Sequence, residues 1–140
     1  SMGGPPDIGR RLFHQPQHPD RLAMPDAPTT EVVNFSEIPG VSCPCGSAQR
    51  AFADSGQCTL HTVTISENAQ THYHKTHTEV YYFLEGHGQM ELDGQLQPVE
   101  PGMSVFIPPG VRHRAVVGSE PMKILNFVMP PFDPADEFFD

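Results

Sequence analysis

Hydrophobic and polar residues alternate in short runs along most of the chain, and this pattern predicts β-strands rather than helices. Cys58–Ser66 is rich in β-branched residues, and Met122–Met129 is the last strongly apolar run. Short runs bounded by glycine or proline are typical of antiparallel strands joined by tight turns. The predicted strands are Glu31–Phe35, Gln49–Ala53, Cys58–Ser66, Thr71–His74, Glu79–Leu84, Gly88–Leu92, Gln95–Val99, Met103–Ile107, His113–Val117 and Met122–Met129.

Two of these strands carry further predictions. Gly88–Leu92 and Gln95–Val99 are separated by Asp93-Gly94, a pair that supplies the positive φ of a two-residue hairpin turn. Glu79–Leu84 has an apolar residue at nearly every position, so both of its faces are expected to be covered by other parts of the protein. Its faces carry Glu79, Tyr81 and Phe83 on one side and Val80, Tyr82 and Leu84 on the other.

Composition divides the chain into three parts. Residues 1–30 contain six prolines and no sustained periodicity, which predicts a proline-rich arm without long helices or central strands. Residues 31–130 hold the predicted strands and form a single domain. Residues 131–140 mix acidic side chains with phenylalanines, and such a tail is expected to pack on its own barrel or on a neighbour.

The charge balance excludes some classes of partner. Eight lysines and arginines against seventeen acidic residues give a net charge of −9, which repels nucleic acids and anionic membranes. No apolar run approaches the roughly 20 residues of a membrane span, and no signal-peptide pattern opens the chain. The three cysteines, an odd count, argue against a disulfide framework. We therefore predict a cytoplasmic protein.

The densest candidate chemistry lies between residues 72 and 79. His72 and His74 are two residues apart, so on an extended strand their imidazoles share a face. A turn through Lys75–Thr78 shifts the phase, and Glu79 can then face both histidines. Two nitrogens and a carboxylate oxygen that converge in this way predict a site for a divalent transition metal.

A second stretch, from Gly102 to His113, reads as a strand, a Pro-Pro-Gly turn and a histidine that opens the next strand. Together the two stretches resemble the cupin family, whose motifs are G-x5-H-x-H-x3/4-E-x6-G and G-x5-P-x-G-x2-H-x3-N. The matching positions are His72, His74, Glu79, Gly86, Gly102, Pro108, Gly110 and His113. Ser66 replaces the first glycine and Val117 the last asparagine, and neither is a ligand position of the family.

The resemblance implies an all-β jelly roll, or double-stranded β-helix, made of two packed antiparallel sheets. It also implies that His113 completes a set of metal ligands with His72, His74 and Glu79, near one open end of the barrel. Such mixed donors suit iron, manganese, nickel, cobalt, copper or zinc, and an octahedral ion would keep two positions open. Small cupins commonly form homodimers, and the arm would suit that assembly.

Other polar and aromatic residues are candidates for the reaction itself. His77, in the turn before Glu79, and Tyr81, on the Glu79 face, are the candidate catalytic residues. Arg50, His61 and Phe83 are candidate substrate-binding residues, and Arg50 would suit a carboxylate. Cys43 and Cys45 lack the second pair of a zinc finger, so we interpret them as turn residues.

Two functions of different classes follow. The first is a metal-dependent enzyme that acts on a small oxygenated metabolite, as a dioxygenase or as a non-redox isomerase or lyase on a sugar-acid-like or keto-acid-like substrate. The second is a non-catalytic domain that binds or senses a small molecule through the ion. A metal-free sugar epimerase is disfavoured by the complete ligand set. A deep pocket with polar groups besides the ligands would favour the enzyme.

Overall fold

Antiparallel strands account for most of the regular structure between residues 41 and 129. The computed structural model describes Gly3 and residues 29–140, and the predicted proline-rich arm therefore lies almost wholly outside the described residues. Residues 33–140 form one compact unit. Its strands are β1 (Val41–Cys43), β2 (Gly46–Ala51), β3 (Thr59–Ile65), β4 (Thr78–Glu85), β5 (Gly88–Leu92), β6 (Gln95–Val99), β7 (Ser104–Ile107), β8 (His113–Val117) and β9 (Met122–Met129).

The strands form two antiparallel sheets. One has six strands in the order β1-β2-β3-β9-β4-β7, and the other has three in the order β6-β5-β8. Both sheets contribute side chains to a single apolar core, because each strand turns its alternate residues inward. The core residues are Ile65, Tyr81, Phe83, Met90, Val99, Ile107, Ala115, Met122 and Ile124. The predicted all-β jelly roll is thus confirmed.

The structure corrects some of the predicted elements before β4. Glu31–Phe35 is not a strand; a single 3-10 turn, Phe35–Glu37, follows Asn34 instead. The Asn34 side chain accepts a hydrogen bond from the Ser36 N–H at 3.0 Å, and such local bonds compete with a sheet ladder. Thr71–His74 does not form a full strand either, since only His72 and Tyr73 make isolated bridges. The short strand β1 was not predicted.

The outward face of β4 is also a correction. Tyr82 and Leu84 remain 44% and 37% exposed, whereas Glu79, Tyr81 and Phe83 point into the barrel and are buried. The prediction that both faces of this strand are covered is therefore wrong. On the adjoining outer surface, Phe106 of β7 is 67% exposed and Phe127 of β9 is 42% exposed, so this side of the sheet is apolar without being buried.

Two tight turns follow the sequence as predicted. Asp93 and Gly94 adopt positive φ angles of 48° and 85°, and they join β5 to β6 as a hairpin. Gly86 has a φ of 81°, and a Cβ at this position would lie 2.4 Å from the Pro121 carbonyl oxygen. The last glycine of the first motif is therefore required by both conformation and space.

In the described part of the chain, no helix is long and apolar enough to span a membrane.

Candidate metal centre

The two sequence motifs meet through their backbones. His72 and His113 form an antiparallel bridge, in which each backbone N–H donates to the carbonyl oxygen of the other residue at 3.1 and 2.8 Å. The Gly110 N–H donates to the carbonyl oxygen of His74 at 2.8 Å, so the Pro-Pro-Gly turn is tied to the first motif. These bonds bring one ring nitrogen from each of His72, His74 and His113 to within 4.8 Å of the others.

Each of the three imidazoles is oriented in the same way. The Nδ1 atoms of His72, His74 and His113 contact backbone carbonyl oxygens, which can only accept hydrogen bonds. Nδ1 must therefore carry the proton, and in a neutral ring Nε2 keeps a free lone pair. Histidine ligands of metals are commonly held by such a bond from the other nitrogen. The acceptors are Gln70, Asp136 and Val111 respectively.

Glu79 faces two of these nitrogens. Its Oε1 lies 3.0 Å from Nε2 of His74 and 3.1 Å from Nε2 of His113. Its Oε2 accepts a hydrogen bond from the Asn126 side-chain amide at 2.7 Å, which fixes the carboxylate plane. Burial alone would raise the pKa of Glu79, but the contacts with His113 and His74 outweigh it and hold the pKa below its usual range. Glu79 is therefore an ionised acceptor.

This donor set fits a cation. Nε2 of His74 is buried and has no hydrogen-bond partner, although a carboxylate oxygen lies beside it. His113 faces acceptors with both nitrogens, whereas a neutral imidazole has only one N–H. Lone pairs and an anionic oxygen at this spacing repel one another unless a proton or a cation lies between them. The separations of 3.0 and 3.1 Å between Oε1 of Glu79 and the two Nε2 atoms are short enough for all three atoms to bind one ion.

The segment between His74 and Glu79 is held by the C-terminal residues. The Asp136 carboxylate accepts hydrogen bonds from the N–H groups of Lys75 (2.8 Å), Thr76 (3.0 Å) and His77 (2.8 Å). Tyr73 and Phe138 form a backbone bridge beside it. Burial tends to raise the pKa of Asp136, but its three backbone donors outweigh burial and lower it. The tail thus packs on its own barrel, one of the two outcomes expected for it.

His77 lies beside His74, with ring centroids 5.3 Å apart, but its own contacts are with the C-terminal tail. Its ring is 2% exposed, Nε2 accepts the Asp133 N–H at 3.1 Å, and Nδ1 lies 3.4 Å from Oδ2 of Asp136. His77 does not line the cavity described next. Both of its nitrogens therefore face the tail rather than a space where a substrate could enter.

A cavity of about 200 Å³ extends into the barrel from three of the candidate ligands, His72, His74 and Glu79, whereas His113 does not line it. Of the predicted site residues, Arg50, His61 and Tyr81 line it, whereas Phe83 lies in the core behind it. Burial, assisted by the charge of Arg50, lowers the pKa of His61 to about 4. Burial and Glu79 raise the pKa of Tyr81, so its phenol stays protonated. The cavity thus presents polar groups that are not candidate ligands.

Cys43 is the last residue of β1, Cys45 lies in the turn that leads to β2, and both line the same cavity. Their sulfur atoms are 3.7 Å apart, and all three cysteines of the chain are free thiols. Burial, reinforced by the neighbouring Cys43, raises the pKa of Cys45 to about 12. A thiol with so high a pKa is a poor nucleophile at neutral pH.

Three residues of this region were not found from the sequence. Asn126 is a polar residue in phase with the buried Ile124 and Val128 of β9, and that misfit was a usable signal. Asp136 and Glu137 gave no such signal, because the tail is distant in sequence from the residues it contacts. Oε1 of Glu137 lies 3.7 Å from Nε2 of His72 at the mouth of the cavity.

The sequence profile of the cupin domain matches residues 59–128, half of the chain. The chain belongs to the cupin family. A crystal structure of a protein from Planctomyces limnophilus is similar to this cupin, with 45% identity and a TM-score of 0.74, covering 79% of this chain and 97% of the other.

Two curated relatives are similar over shorter stretches of this cupin. An uncharacterised protein of Methanocaldococcus jannaschii is 37% identical over 75 residues, which are 53% of this chain and 60% of that protein. L-ectoine synthase of Halomonas elongata is 42% identical over 52 residues, 35% of this chain and 38% of the synthase. The chain therefore spans less than two thirds of the length of either relative.

Proposed function

We propose that this cupin is a divalent-metal-dependent enzyme that acts on a small oxygenated metabolite. The observation that carries the proposal is the wall of the cavity: besides the candidate ligands His72, His74 and Glu79, it holds Arg50, His61 and Asn126. A domain that only anchored a ligand on an ion could do with a shallower and more apolar pocket. An enzyme requires buried polar groups to orient its substrate.

In this proposal His72, His74, Glu79 and His113 hold the ion. A bound ion would polarise a carbonyl oxygen, or activate water or dioxygen, at neutral pH. Nitrogen and oxygen donors suit iron, manganese, nickel, cobalt, copper or zinc.

The residues around these ligands keep the site ordered. The three Nδ1 hydrogen bonds hold the histidines in the tautomer that leaves Nε2 free, and Asn126 holds Glu79. The protonated Tyr81 phenol can donate to a substrate oxygen. His61, with its lowered pKa, is neutral near pH 7, so its ring can form a hydrogen bond to a substrate in the cavity.

The proposal covers non-redox isomerase or lyase chemistry and dioxygenase chemistry. The similarity to L-ectoine synthase supports an enzymatic role, although it covers only part of that protein. Oxygen consumption separates the two chemistries, because only a dioxygenase takes up dioxygen with its substrate. A panel of small sugar acids, keto acids and hydroxy acids would be assayed with and without air.

Elemental analysis of the purified protein tests the ion directly. We expect close to one divalent transition-metal ion per chain, and a loss of most of that metal in His113→Ala. His87→Ala is the matched control, since His87 is exposed and lies outside the cavity. Equal metal content in His113→Ala and the wild-type protein would refute the metal centre. A loaded protein that binds members of the panel without converting any would favour the binding or sensing domain.

We further propose that the protein is a cytoplasmic homodimer. The free cysteines suit a reducing compartment. The apolar outer surface around Phe106 and Phe127 is the kind of surface that pairs with a second copy. Light scattering of the purified chain would measure the assembly.

A further inference from the structure

Four side chains form a row across the six-stranded sheet. In register, Arg50 of β2 pairs with His61 of β3, His61 with Asn126 of β9, and Asn126 with Tyr81 of β4. Residues directly opposite in antiparallel strands share a face, and all four line the cavity. Neighbouring strands are about 4.8 Å apart, so Arg50 and Tyr81 lie on strands separated by roughly 14 Å. Glu79, two residues from Tyr81, marks the metal end of this row.

Two polar atoms in the row lack partners. The Arg50 Nε atom is buried without a hydrogen-bond partner among the described residues, and so is the Asn126 Oδ1 atom. The Glu79 carboxylate can only accept hydrogen bonds, so the Asn126 side-chain nitrogen faces it. The Asn126 side-chain oxygen is then available to accept a hydrogen bond from a ligand. A buried donor and a buried acceptor without partners are costly to a folded protein. A ligand that satisfied both would recover that cost.

The Arg50 guanidinium is held in place without being neutralised. Its Cζ lies 4.4 Å from the centre of the Phe132 ring, a cation–π contact that orients its plane. No ion pair joins it to a carboxylate in the described part of the chain. Once a divalent ion is bound, that ion and Arg50 carry more positive charge than Glu79 and Glu137 carry negative charge. The loaded cavity therefore favours an anion.

The size of the cavity limits that anion. Sites for drug-sized ligands measure roughly 300–1,000 Å³, whereas this cavity measures about 200 Å³. Part of its wall is apolar, with Val63, Ile65 and Ala115 between the polar groups. A small carbon chain fits between the two ends better than a polyanion such as a nucleotide.

We propose that the cavity takes a small hydroxy carboxylate, whose carboxylate binds Arg50 and whose hydroxyl donates a hydrogen bond to Oδ1 of Asn126. This assignment of the substrate class rests on the proposed function, because the hydroxyl end of the molecule would lie beside Asn126, which contacts the candidate ligand Glu79. Arg50 is then a specificity-determining residue, and Phe132 is its positioning residue.

Calorimetry with matched ligands tests the carboxylate subsite. The probes are lactate, 3-hydroxybutyrate and 4-hydroxybutyrate, each compared with its neutral amide, on protein loaded with Ni(II) and on metal-free protein. At least one acid should bind the wild-type loaded protein about 10–100-fold more tightly than its amide, as expected for a charge-assisted hydrogen bond. Propionate and butyrate test the hydroxyl and should bind more weakly than the best hydroxy acid.

Three variants assign the preference to one side chain. Arg50→Gln should reduce the acid-to-amide ratio to within about twofold, and Arg50→Lys should keep part of it because a charge without the guanidinium fork remains. Arg114→Gln is the control, since Arg114 pairs with Glu91 and does not line the cavity. A wild-type ratio near one, no binding of any acid, or an unchanged ratio in Arg50→Gln would overturn the proposal.

The same samples separate this inference from the proposed function. If elemental analysis finds no metal but metal-free protein keeps an Arg50-dependent preference for acids, the subsite stands and the metal-dependent enzyme fails. If metal binds but acids and amides bind equally, the subsite fails and the metal centre stands.

Discussion

Replacing Asp136 by alanine should weaken both the fold and the metal centre, although Asp136 is not a candidate ligand. Its carboxylate accepts three backbone N–H groups from the segment between His74 and Glu79. Without that carboxylate the segment loses its only side-chain acceptor among the described residues. The two ligands on either side of the segment would then be positioned less firmly.

The size of the effect follows from the exposure of the three donors. Hydrogen bonds to charged groups contribute about 1.5–3 kcal/mol each. Lys75 and Thr76 are exposed, so water can replace the carboxylate there, whereas His77 is buried and its N–H would be left without a partner. We therefore expect a loss of about 2–4 kcal/mol in the free energy of unfolding, well below the sum of three such bonds. The melting temperature should fall by about 10 °C.

Urea unfolding of metal-free protein at pH 7 measures this loss, and a metal titration measures the second effect. Removal of groups that orient metal ligands typically costs 10–100-fold in affinity, so we expect at least about a tenfold loss in Asp136→Ala. Asp140→Asn is the control, because Asp140 lies in the same tail but its carboxylate is exposed and meets only Arg112. Asp136→Asn keeps the shape of the side chain without its charge, so its stability and metal affinity should lie between those of Asp136→Ala and Asp140→Asn.

The reasoning fails if Asp136→Ala unfolds at the same urea concentration as the wild-type protein. It also fails if stability falls but metal affinity does not, because the segment would then be positioned by the barrel alone. Since the pKa of Asp136 is lowered on folding, its contribution is present above the unfolded pKa of about 3.9 and is lost as pH falls further. Neutral pH is therefore the right condition for the comparison.

Three further predictions concern single residues. Asn126→Ala should lower metal affinity about tenfold while the barrel stays folded, as judged by circular dichroism, because Glu79 loses its 2.7 Å donor. His61→Gln should reduce the acid sensitivity of the metal-free protein. Below pH 6.5 His61 is protonated in the unfolded chain but stays neutral in the folded protein, where its pKa is about 4. Between pH 6.5 and pH 4 the free energy of unfolding of the wild-type protein should therefore fall by roughly 3 kcal/mol relative to the variant, as measured by urea unfolding. Phe106→Asp should shift the mass measured by light scattering from dimer to monomer, and a monomeric wild-type protein would contradict the proposed assembly.

The sequence predicted what depends on short spacing. His72 and His74 share a face because they are two residues apart, and the Asp93-Gly94 turn formed because its φ angles need those residues. The last strand in the sequence, β9, was predicted from its alternation of apolar residues. The outward exposure of Tyr82 could not be predicted, because a strand with two apolar faces does not reveal which face lacks a covering layer.

Contacts between residues that are far apart in the sequence could not be predicted from it either. Asp136 contacts residues 75–77 and the His74 ring, about 60 positions earlier, and no periodicity links them. The prediction of a strand at Glu31–Phe35 was wrong for the opposite reason. A local hydrogen bond to the Asn34 side chain favoured a turn over the strand that the neighbouring residues predicted. Tertiary contact and local capping thus limited the prediction in different places.

The row from β2 to β4 places the residues that would select a ligand at a distance from the candidate metal ligands. The candidate metal ligands lie on β4, β8 and the segment before β4, whereas Arg50 lies on β2, at the other end of the row. An exchange at Arg50 or His61 would alter which molecule fits without changing the candidate metal ligands. Descendants of such a barrel could therefore acquire new ligands by changes in one hairpin, β2–β3, while they kept the same candidate metal ligands.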